Sequence, residues 1–285
     1  MIKKAILPVA GFGTRFLPAT KAQPKEMLPI YDTPSIQFII EELVASGITD
    51  IIIVTGKGKR SIEDHFDANF ELEFLLQEKG KTKDLELVKK LSSLANISYV
   101  RQHKPLGDGH AILCAKNFIK DEPFIVCFGD DIVDNPGGEN SITQLINIFE
   151  KKNNPVVLLE KIATENLKKY GVVELDQKTE KIKNIVEKPD PKKAPSNLGI
   201  IGKYILTPEI LDILEKIPPG KDGEIRLSNA FFEFIKNNGA LYGKILDGVR
   251  FDTGDKLGFL QATLYFALKK EPKLTKKVLD SFLKN

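Results

Sequence analysis

The sequence predicts an α/β fold of the Rossmann-like, doubly wound type, built on a mostly parallel mixed sheet with an antiparallel extension. Between residues 5 and 151, short apolar runs of strand length alternate with amphipathic runs of helical length. This pattern is typical of a parallel sheet covered by helices. After residue 155, apolar runs follow one another without long helices between them, which predicts the antiparallel part. The 285 residues are enough to bury one large core.

Four buried strands and four helical segments are predicted in the first half of the chain. The strands are apolar runs bounded by turn residues, at 5–9, 51–54, 97–100 and 124–128. The first helix begins at Pro34-Ser35 and is stopped by Gly47, and a long charged helical segment at 69–94 is broken near Gly80. Two more helices are predicted at 107–118 and 140–151. Ligands of such sheets bind beyond the carboxyl ends of the strands.

The second half is predicted to begin with strands and to end with helices. The strands are expected at 156–159, 172–175, 182–186 and 199–206. Helical spacing of apolar residues predicts helices at 208–217, 226–238, 257–268 and from about residue 273. The chain has no low-complexity tract, internal repeat or clear linker. One continuous domain over residues 1–285 is therefore expected.

Composition and charge exclude several classes of protein. The 42 Lys and Arg against 39 Asp and Glu give a net charge of +3, which is too balanced for a nucleic-acid-binding protein. The N-terminal apolar run is too short for a signal peptide, and no run is long enough to span a bilayer. Cys114 and Cys127 lie among apolar residues and are expected to be buried, unpaired thiols. We expect a cytoplasmic protein without nucleic-acid or membrane partners.

A glycine-containing loop follows the first strand directly. Gly11 and Gly13 would let its backbone approach a ligand closely, and the N–H groups of such a turn favour anions. Phe16 stands where a dinucleotide-binding fingerprint has its third glycine, and the P-loop ending is absent. A Gly-x-Gly pair alone could equally be a tight turn. The same proline-rich loop contains three cations, Arg15, Lys21 and Lys25. Together with the glycines, these cations favour a triphosphate site.

Charged residues end three other segments of the chain. Asp130 and Asp131 follow an apolar strand, and Asp252 lies in a glycine turn. Such carboxylates are often turn formers or helix caps, but beside a triphosphate they also suit a hard cation. Glu187 and Lys188 end a later strand, where a charged pair is commonly only exposed. The histidines are unclustered, which argues against a zinc site: they are His65, His103 and His110.

The glycine loop resembles the signature of the sugar nucleotidylyltransferase family. Its full form, AGFGTRFLPATKAQPKEMLP at 10–29, is similar to the bacterial uridylyltransferases that make UDP-glucose. The resemblance runs nearly end to end, through HFDANFELE (65–73), VRQHKPLGDGHAILCA (100–115), YGVVELD (170–176), VEKP (186–189), APSNLGIIGKYIL (194–206) and FDTGDKLG (251–258). It implies transfer of the uridylyl group of UTP to glucose 1-phosphate. It also implies a nucleotide-binding half at 1–154 and a sugar-phosphate-binding half with C-terminal helices at 155–285.

The resemblance also implies roles for particular residues. Mg²⁺ would be held by Asp130 and Asp252. Three cations would act in catalysis: Arg15, Lys25 and Lys188. The nucleotide would be bound by Ala10, Gly11, Gly13, Thr14, Glu26, Gln102 and Gly107. The sugar would be bound by Gly171, Glu187 and Asn197. The partners expected are UTP, glucose 1-phosphate and further copies of the chain in a homodimer or homotetramer.

The expected reaction needs no general base, and none is evident. The second pKa of a phosphate monoester is near ~6, so the attacking oxygen is largely ionised at neutral pH. We assign no chemical role to His110, which is expected only to open a helix after Gly109. The segment at 224–229 departs from the family pattern, with Arg226, Ser228 and Asn229 in place of Gln and Thr-Asp. This departure affects the hexose side.

Several alternatives remain beside the uridylyltransferase interpretation. One is a sister enzyme that uses dTTP or CTP, and another is a catalytically inactive regulatory homologue. The inactive homologue is disfavoured because the expected cations and carboxylates are all present. A Rossmann dehydrogenase is disfavoured by the missing third glycine and the cationic loop.

Overall fold

The computed structural model describes residues 2–283, which form one large sheet and two small ones, with helices packed around them. The strands are β1 (Lys4–Pro8), β2 (Pro29–Ile30), β3 (Thr33–Pro34), β4 (Asp50–Thr55), β5 (Asn96–Arg101), β6 (Phe124–Cys127), β7 (Asp131–Asp134), β8 (Val156–Lys161), β9 (Gly171–Leu175), β10 (Ile182–Glu187), β11 (Leu198–Leu206), β12 (Tyr242–Ile245) and β13 (Val249–Asp252). The helices are α1 (Ser35–Ala45), α2 (Arg60–Phe66), α3 (Phe70–Glu78), α4 (Thr82–Leu91), α5 (Asp108–Cys114), α6 (Lys116–Ile119), α7 (Ser141–Lys152), α8 (Pro208–Lys216), α9 (Leu227–Lys236), α10 (Lys256–Lys270) and α11 (Pro272–Leu283).

The large sheet joins a parallel half to an antiparallel half. Its strand order is β10-β9-β11-β6-β1-β4-β5, and β8 pairs with both β11 and β12. The strands β6, β1, β4 and β5 run parallel, as the alternation of strands and helices predicts. In contrast, β11 runs antiparallel to β6, β8 and β9. The predicted α/β fold with an antiparallel extension is confirmed.

The two faces of the sheet are covered by different helices. Side chains alternate between the faces of a strand, so Ala5 and Leu7 of β1 pack with α1, α7 and α10, whereas Ile6 packs with α5, α8 and α9. Side-chain caps fix the starts of two of these helices. Asn140 accepts a hydrogen bond from the Thr143 N–H at the start of α7, and Asp255 accepts one from Gly258 N–H at the start of α10. Within residues 2–283, no helix is both long and apolar enough to cross a membrane.

The differences from the predicted elements concern short strands and helices. Five strands of two to four residues were not predicted (β2, β3, β7, β12 and β13), nor was helix α2. The predicted break near Gly80 is confirmed, because this residue has φ 64° between α3 and α4. The segment predicted at 107–118 is two short helices, α5 and α6. His110 therefore lies inside the first turn of α5 rather than opening it.

A two-stranded ladder outside the large sheet positions the acidic residues. In the antiparallel pair β7–β13, Asp131 lies directly opposite Asp252. Asp130 comes immediately before this ladder, and the turn after it begins at Thr253. The Thr253 N–H donates to the Asp130 carbonyl at 2.8 Å, which ties the two ends together. Residues more than a hundred positions apart are thus brought to one place.

A buried ion pair fastens β11 to α1. The Lys203 side chain is completely buried and pairs with Glu42, which is 9% exposed. The Lys203 ammonium also donates to the Ser141 hydroxyl at 3.0 Å. In turn, the Ser141 N–H donates to Glu42 at 3.0 Å. Every charge in this cluster therefore has a partner.

Candidate functional site

A cleft of about 710 Å³ opens at the carboxyl ends of β1 and β6. Its lining comes from the loops that follow β1, β5 and β6, from β11, from the ends of β9 and β10, and from the start of α9. Most of the predicted site residues lie in this lining: Ala10, Gly11, Arg15, Lys25, Glu26, Gln102, Gly107, Asp130, Gly171, Glu187 and Lys188. Ligands bind at this edge in open α/β sheets. The sequence pattern therefore brings most of its candidates to one cavity.

The glycine loop is a run of tight turns. Gly13 has φ 66°, a left-handed conformation that side chains disfavour, and an added Cβ would lie 3.1 Å from the Cβ of Lys25. The Thr20 hydroxyl donates to the Gly13 carbonyl at 2.7 Å, which fixes the fold of the loop. Arg15 donates to the carbonyl of Gly254 at 3.3 Å. The loop is thus joined to the turn that carries Asp252.

Lys25 and Asp130 form an ion pair at the centre of the cleft. The Lys25 ammonium lies 2.5 Å from the Asp130 carboxylate. Burial alone would lower the pKa of Lys25, but the carboxylates of Asp130 and Glu26 raise it above its ordinary value. Burial likewise opposes ionisation of Asp130, yet Lys25 holds the pKa of this carboxyl below its usual range. Both groups are therefore charged at neutral pH.

Asp252 brings a second carboxylate to the same point. A Cβ on Gly254 would lie 2.6 Å from Asp130 Oδ2 and 2.9 Å from Asp252 Oδ1, so both carboxylates border the space beside this glycine. Burial and the neighbouring Asp131 raise the pKa of Asp252 above its ordinary value. The repulsion of the Asp252 carboxylate by Asp131 and Asp130 is therefore incompletely neutralised. A cation placed between Asp130 and Asp252 would relieve it.

Asp131 is occupied by the protein itself. Its Oδ2 atom accepts the Gly202 N–H at 2.7 Å, and its Oδ1 atom is paired with Arg250. The side chain is buried, as expected for a carboxylate with both oxygens satisfied. Asp131 is thus neither a helix cap nor a simple turn former. It anchors β7 against β11 and Arg250.

Arg250 is a residue of the site that the sequence reasoning missed. Its guanidinium is buried, lies 2.9 Å from Glu160 and 3.7 Å from Asp252, and stacks near the Tyr170 ring at 5.5 Å. The Tyr170 hydroxyl in turn donates to Asp252 at 3.3 Å. The signal in the sequence was a charged residue inside a short strand that precedes an Asp-Thr-Gly turn. Its acidic partners Asp131 and Glu160, however, lie on two other strands, β7 and β8.

The sugar-side candidates gather at the paired ends of β9 and β10. Gly171 is opposite Glu187 in the ladder, and a Cβ on Gly171 would lie 3.1 Å from the Glu187 carboxylate. Lys188 has φ 47° and donates its N–H to Tyr170 O at 3.0 Å, so the turn directs this residue to the cleft. Asn197 is different. Its side chain is exposed, and its carbonyl accepts the Ile162 N–H at 2.9 Å.

Four predicted residues lie outside the cleft lining in the part of the chain that the structure describes. Gly13 and Thr14 belong to the glycine loop, between two residues that do line the cleft, and Asn197 is at the surface before β11. Asp252 borders Asp130 although it is also outside this lining. The segment at 224–229, which departs from the family pattern, also lies only partly in the cleft lining. Arg226 and Ser228 line the cleft, whereas Asn229 lines a separate groove between α8 and α9.

Glu26 lines the cleft but already has a cationic partner. Its carboxylate lies 2.6 Å from the ammonium of Lys59, and both side chains are nearly inaccessible to solvent. The Ser35 hydroxyl donates to the Glu26 carbonyl at 3.0 Å. These contacts hold the end of the glycine loop against α1 and α2. Lys59 was not predicted, because nothing in its own sequence neighbourhood marks it as buried.

At the other end of the cleft, Gln102 and Gly107 belong to one short turn. Gln102 is 8% exposed, and its amide donates to the Gly107 carbonyl at 3.0 Å. Gly107 has φ 97°, and an added Cβ would lie 2.5 Å from Ile225 O, so only glycine fits here. Asp108 accepts the N–H groups of Gly109 (2.6 Å) and Leu227 (3.0 Å). Burial raises its pKa although these bonds oppose the rise.

The arrangement suits a polyanionic ligand that reacts without a side-chain nucleophile. The described residues include no group of three or more His, Cys, Asp or Glu side chains able to hold a metal. Neither histidine nor cysteine lines the cleft among residues 2–283. Cys127 is buried and Cys114 is half-buried, and both are unpaired. Cations, backbone N–H groups and a pair of carboxylates are the available chemical groups.

Comparisons with known proteins identify the family of the chain. A profile of the family described as "Nucleotidyl transferase" matches residues 4–267. The chain is 50% identical to a UTP–glucose-1-phosphate uridylyltransferase of Bacillus subtilis, over 94% of this chain and 92% of that protein. It is 52% identical to the UTP–glucose-1-phosphate uridylyltransferase 2 of Staphylococcus saprophyticus, over 95% of this chain and 93% of that protein.

Solved structures show the same fold. A UDP-glucose pyrophosphorylase complexed with UDP-glucose aligns with a TM-score of 0.85 and 39% identity, over 95% of this chain and 100% of that one. The UTP-bound enzyme from Acinetobacter baumannii aligns with a TM-score of 0.88 and 37% identity, over 99% of each chain.

Proposed function

The chain belongs to the nucleotidyl transferase family, and from this premise we propose that it transfers the uridylyl group of UTP to glucose 1-phosphate, forming UDP-glucose and pyrophosphate. The observation that carries the proposal is the composition of one cleft. It contains the turn at Gln102–Gly107, the cations Arg15 and Lys25, and the charged pair Glu187–Lys188. These groups match a base, a triphosphate and a sugar phosphate. Relatives with this activity in their names match nearly the whole chain.

We propose that the cleft binds Mg²⁺ through Asp130 and Asp252. The donor set fits, because Mg²⁺ is usually held by one or two carboxylates together with substrate phosphates and water. The raised pKa of Asp252 fits too, since a bound cation would favour the ionised carboxylate. When bound, the ion supplies positive charge to the reacting phosphate oxygens. Asp131 is excluded from this role by its bonds to Gly202 and Arg250.

The residues of the cleft act by positioning and by charge. The phosphate of glucose 1-phosphate is already largely ionised at neutral pH, since its second pKa is ~6. Its oxygen attacks the α-phosphorus of UTP directly, and the bond to the departing pyrophosphate breaks. Arg15 and Lys25 stabilise charge on the triphosphate, and Lys188 binds the incoming phosphate, so that two anions can meet. Glu187 and the backbone at Gly171 bind the hexose.

We also propose that the working form is a homodimer or homotetramer in the cytoplasm. Large apolar side chains are exposed on α3, including Phe70 (79%) and Phe74 (67%). Exposed aromatic groups of this size often mark contacts between copies. Two unpaired cysteines agree with a reducing compartment. Light scattering measures the assembly, and a monomer at micromolar concentration would contradict this part of the proposal.

A pyrophosphate-release assay tests the reaction against its alternatives. The protein is incubated with Mg²⁺ and each pair from UTP, dTTP, CTP and ATP with glucose 1-phosphate or galactose 1-phosphate. We expect the highest kcat/KM with UTP and glucose 1-phosphate, a poor second place for dTTP, and nearly no turnover with CTP or ATP. Preference for dTTP or CTP would indicate a sister enzyme. Absence of turnover with every pair would indicate an inactive homologue.

A further inference from the structure

The side-chain amide of Gln102 is held in one orientation. Its nitrogen lies 3.0 Å from the carbonyl oxygen of Gly107 and 3.0 Å from Nδ1 of His110. An amide nitrogen has two hydrogens, and these two acceptors use both. The amide oxygen receives no hydrogen bond from residues 2–283, and Gln102 lines the cleft. This oxygen is therefore the atom of the side chain available to a ligand.

Rotation of this amide by a half turn is opposed on two sides. It would place the amide oxygen against the Gly107 carbonyl, which can only accept. It would also place that oxygen against the Nδ1 lone pair of His110. The His110 ring is part-buried and burial lowers its pKa, so the neutral ring is favoured. The Gln102 amide nitrogen, oriented by the Gly107 carbonyl, matches the tautomer with a lone pair on Nδ1 and the proton on Nε2. A buried amide with opposed partners is disfavoured roughly tenfold or more.

We propose that His110 is a positioning residue for base selection: it fixes the Gln102 amide so that its oxygen faces the N3 edge of the base. The proposal rests on the uridylyl transfer proposed above. Uracil has a donor at N3 and an acceptor at O4, whereas cytosine has the reverse. The Gly107 N–H has no partner among the described residues. A fixed acceptor at Gln102 and a fixed donor at Gly107 match uracil and oppose cytosine at both positions.

His110 acts through Gln102, because it lies outside the lining of the cleft among residues 2–283. Its other polar neighbour is the Cys114 sulfur, 3.9 Å from Nδ1. A thiol is a weak donor and a weak acceptor of hydrogen bonds. Removal of the Cys114 thiol should therefore leave the Gln102–His110 contact in place. Cys114 provides a matched control on the same helix.

The test measures kcat/KM for UTP and CTP in the wild type and in a set of variants. His110→Leu removes the acceptor, and we expect the UTP-to-CTP ratio to fall about tenfold, the cost of one buried hydrogen bond. His110→Asn can place its Oδ1 where Nδ1 was, and the ratio should return to within about threefold of the wild type, as little of that hydrogen bond is lost. Cys114→Ala should leave the ratio unchanged. Adding His110→Leu to Gln102→Ala should produce no further change.

Two results would overturn the proposal: a wild-type ratio in His110→Leu, or an equal loss in His110→Leu and His110→Asn. If leucine prevents folding, His110→Phe removes the acceptor and keeps a ring. Equilibrium affinities for UTP and CTP from calorimetry provide the same ratio without turnover. A wild type that binds UTP selectively but transfers nothing contradicts the proposed function alone. A selective, active wild type with an unaltered His110→Leu ratio contradicts the His110 role alone.

Discussion

Asp252 allows the proposed metal site to be tested without changing its shape. Asp252→Asn can retain the hydrogen bond from Gly254 N–H, which is 3.0 Å long, but it removes the charge that a hard cation requires. We expect kcat to fall by roughly 10²-fold or more, because transition-state charge is then poorly stabilised. The melting temperature and circular dichroism should stay near wild type. Treatment of the wild type with EDTA should abolish activity, and added Mg²⁺ should restore it.

The control for this substitution is Asp121→Asn, which alters an exposed carboxylate. It should leave both kcat and the dependence on Mg²⁺ unchanged. Normal turnover of Asp252→Asn at the usual Mg²⁺ concentration would refute the assignment of this ligand.

Lys25 and Lys188 are expected to serve different substrates. Lys25 is paired with Asp130 at 2.5 Å, whereas Lys188 lies 3.7 Å from Glu187 on the sugar side. Lys25→Ala should mainly weaken kcat/KM for UTP, and Lys188→Ala that for glucose 1-phosphate. Each loss should be of the order of 10²-fold, because each substitution removes a charge-assisted contact with a substrate phosphate. Steady-state kinetics with each substrate varied in turn measures both effects.

Lys21→Ala is the matched control, since this lysine belongs to the same loop but is exposed. Identical defects toward both substrates in the Lys25 and Lys188 variants would count against separate roles.

For single residues, the sequence was most informative where the site residues lie close together along the chain. The glycine loop concentrates its glycines and cations within twenty positions, so its chemistry could be interpreted directly. Arg250 and Lys59 could not be found in this way. Arg250 meets Asp131 from 119 positions away, and Lys59 meets Glu26 from 33 positions away. Whether a charge is buried depends on tertiary partners that no local pattern specifies.

Among the elements, the joint between β11 and α1 depends on the ion pair of Lys203 and Glu42. Both side chains are buried, and removing one partner leaves an uncompensated charge. We expect Lys203→Met to destabilise the fold by roughly 3–5 kcal/mol. Urea denaturation measures this loss. The Glu42→Gln/Lys203→Met double variant should regain at least half of it, because no charge then remains buried.

An exposed ion pair provides the comparison. Lys236→Met should change the free energy of unfolding by about 1 kcal/mol or less, because the Lys236–Glu233 pair is largely exposed. If the double variant were no more stable than Lys203→Met alone, the loss would have to come from packing rather than from unpaired charge.

The elements of the sheet were predictable where burial is strong. The strand β4 is an almost unbroken Ile-Val run buried along nearly its whole length. In contrast, β7 and β13 are four residues each, are partly exposed and carry several charges. They form because they pair with each other and bring Asp131 opposite Asp252. Short ladders of this kind depend on a contact between distant segments, so local propensity does not reveal them.

For the whole molecule, the absence of histidine and cysteine from the described cleft lining predicts direct transfer. No covalent uridylyl–enzyme should form, because activated side-chain nucleophiles of the usual kinds are not in place. Labelled pyrophosphate should not exchange into UTP unless glucose 1-phosphate or UDP-glucose is present. Appreciable exchange with UTP alone would mean a covalent intermediate. Initial-rate kinetics should then be ping-pong instead of ternary-complex.

The fold class as a whole was predictable because strand and helix patterns alternate clearly over the first half. How the parallel and antiparallel halves of the sheet join was harder to predict from the sequence. The antiparallel pairing of β11 with β6 makes one continuous sheet. Which strand of the second half lies beside β6 depends on how all the helices pack. No local sequence pattern determines this pairing.

The turn at 102–107, which is proposed to contact the base, is bordered by backbone from the other half of the chain. Ile225 donates its N–H to Leu106 O at 2.7 Å and accepts the Gly109 N–H at 3.0 Å. The stretch at 218–224, between α8 and α9, leads into Ile225, so its length bears on where Ile225 holds this turn. Insertion or deletion of one residue there should shift nucleotide preference while every side chain near the base stays the same. We therefore expect nucleotide preference in this fold to change with the length of this loop alone. Comparison of the site residues would not detect such a change.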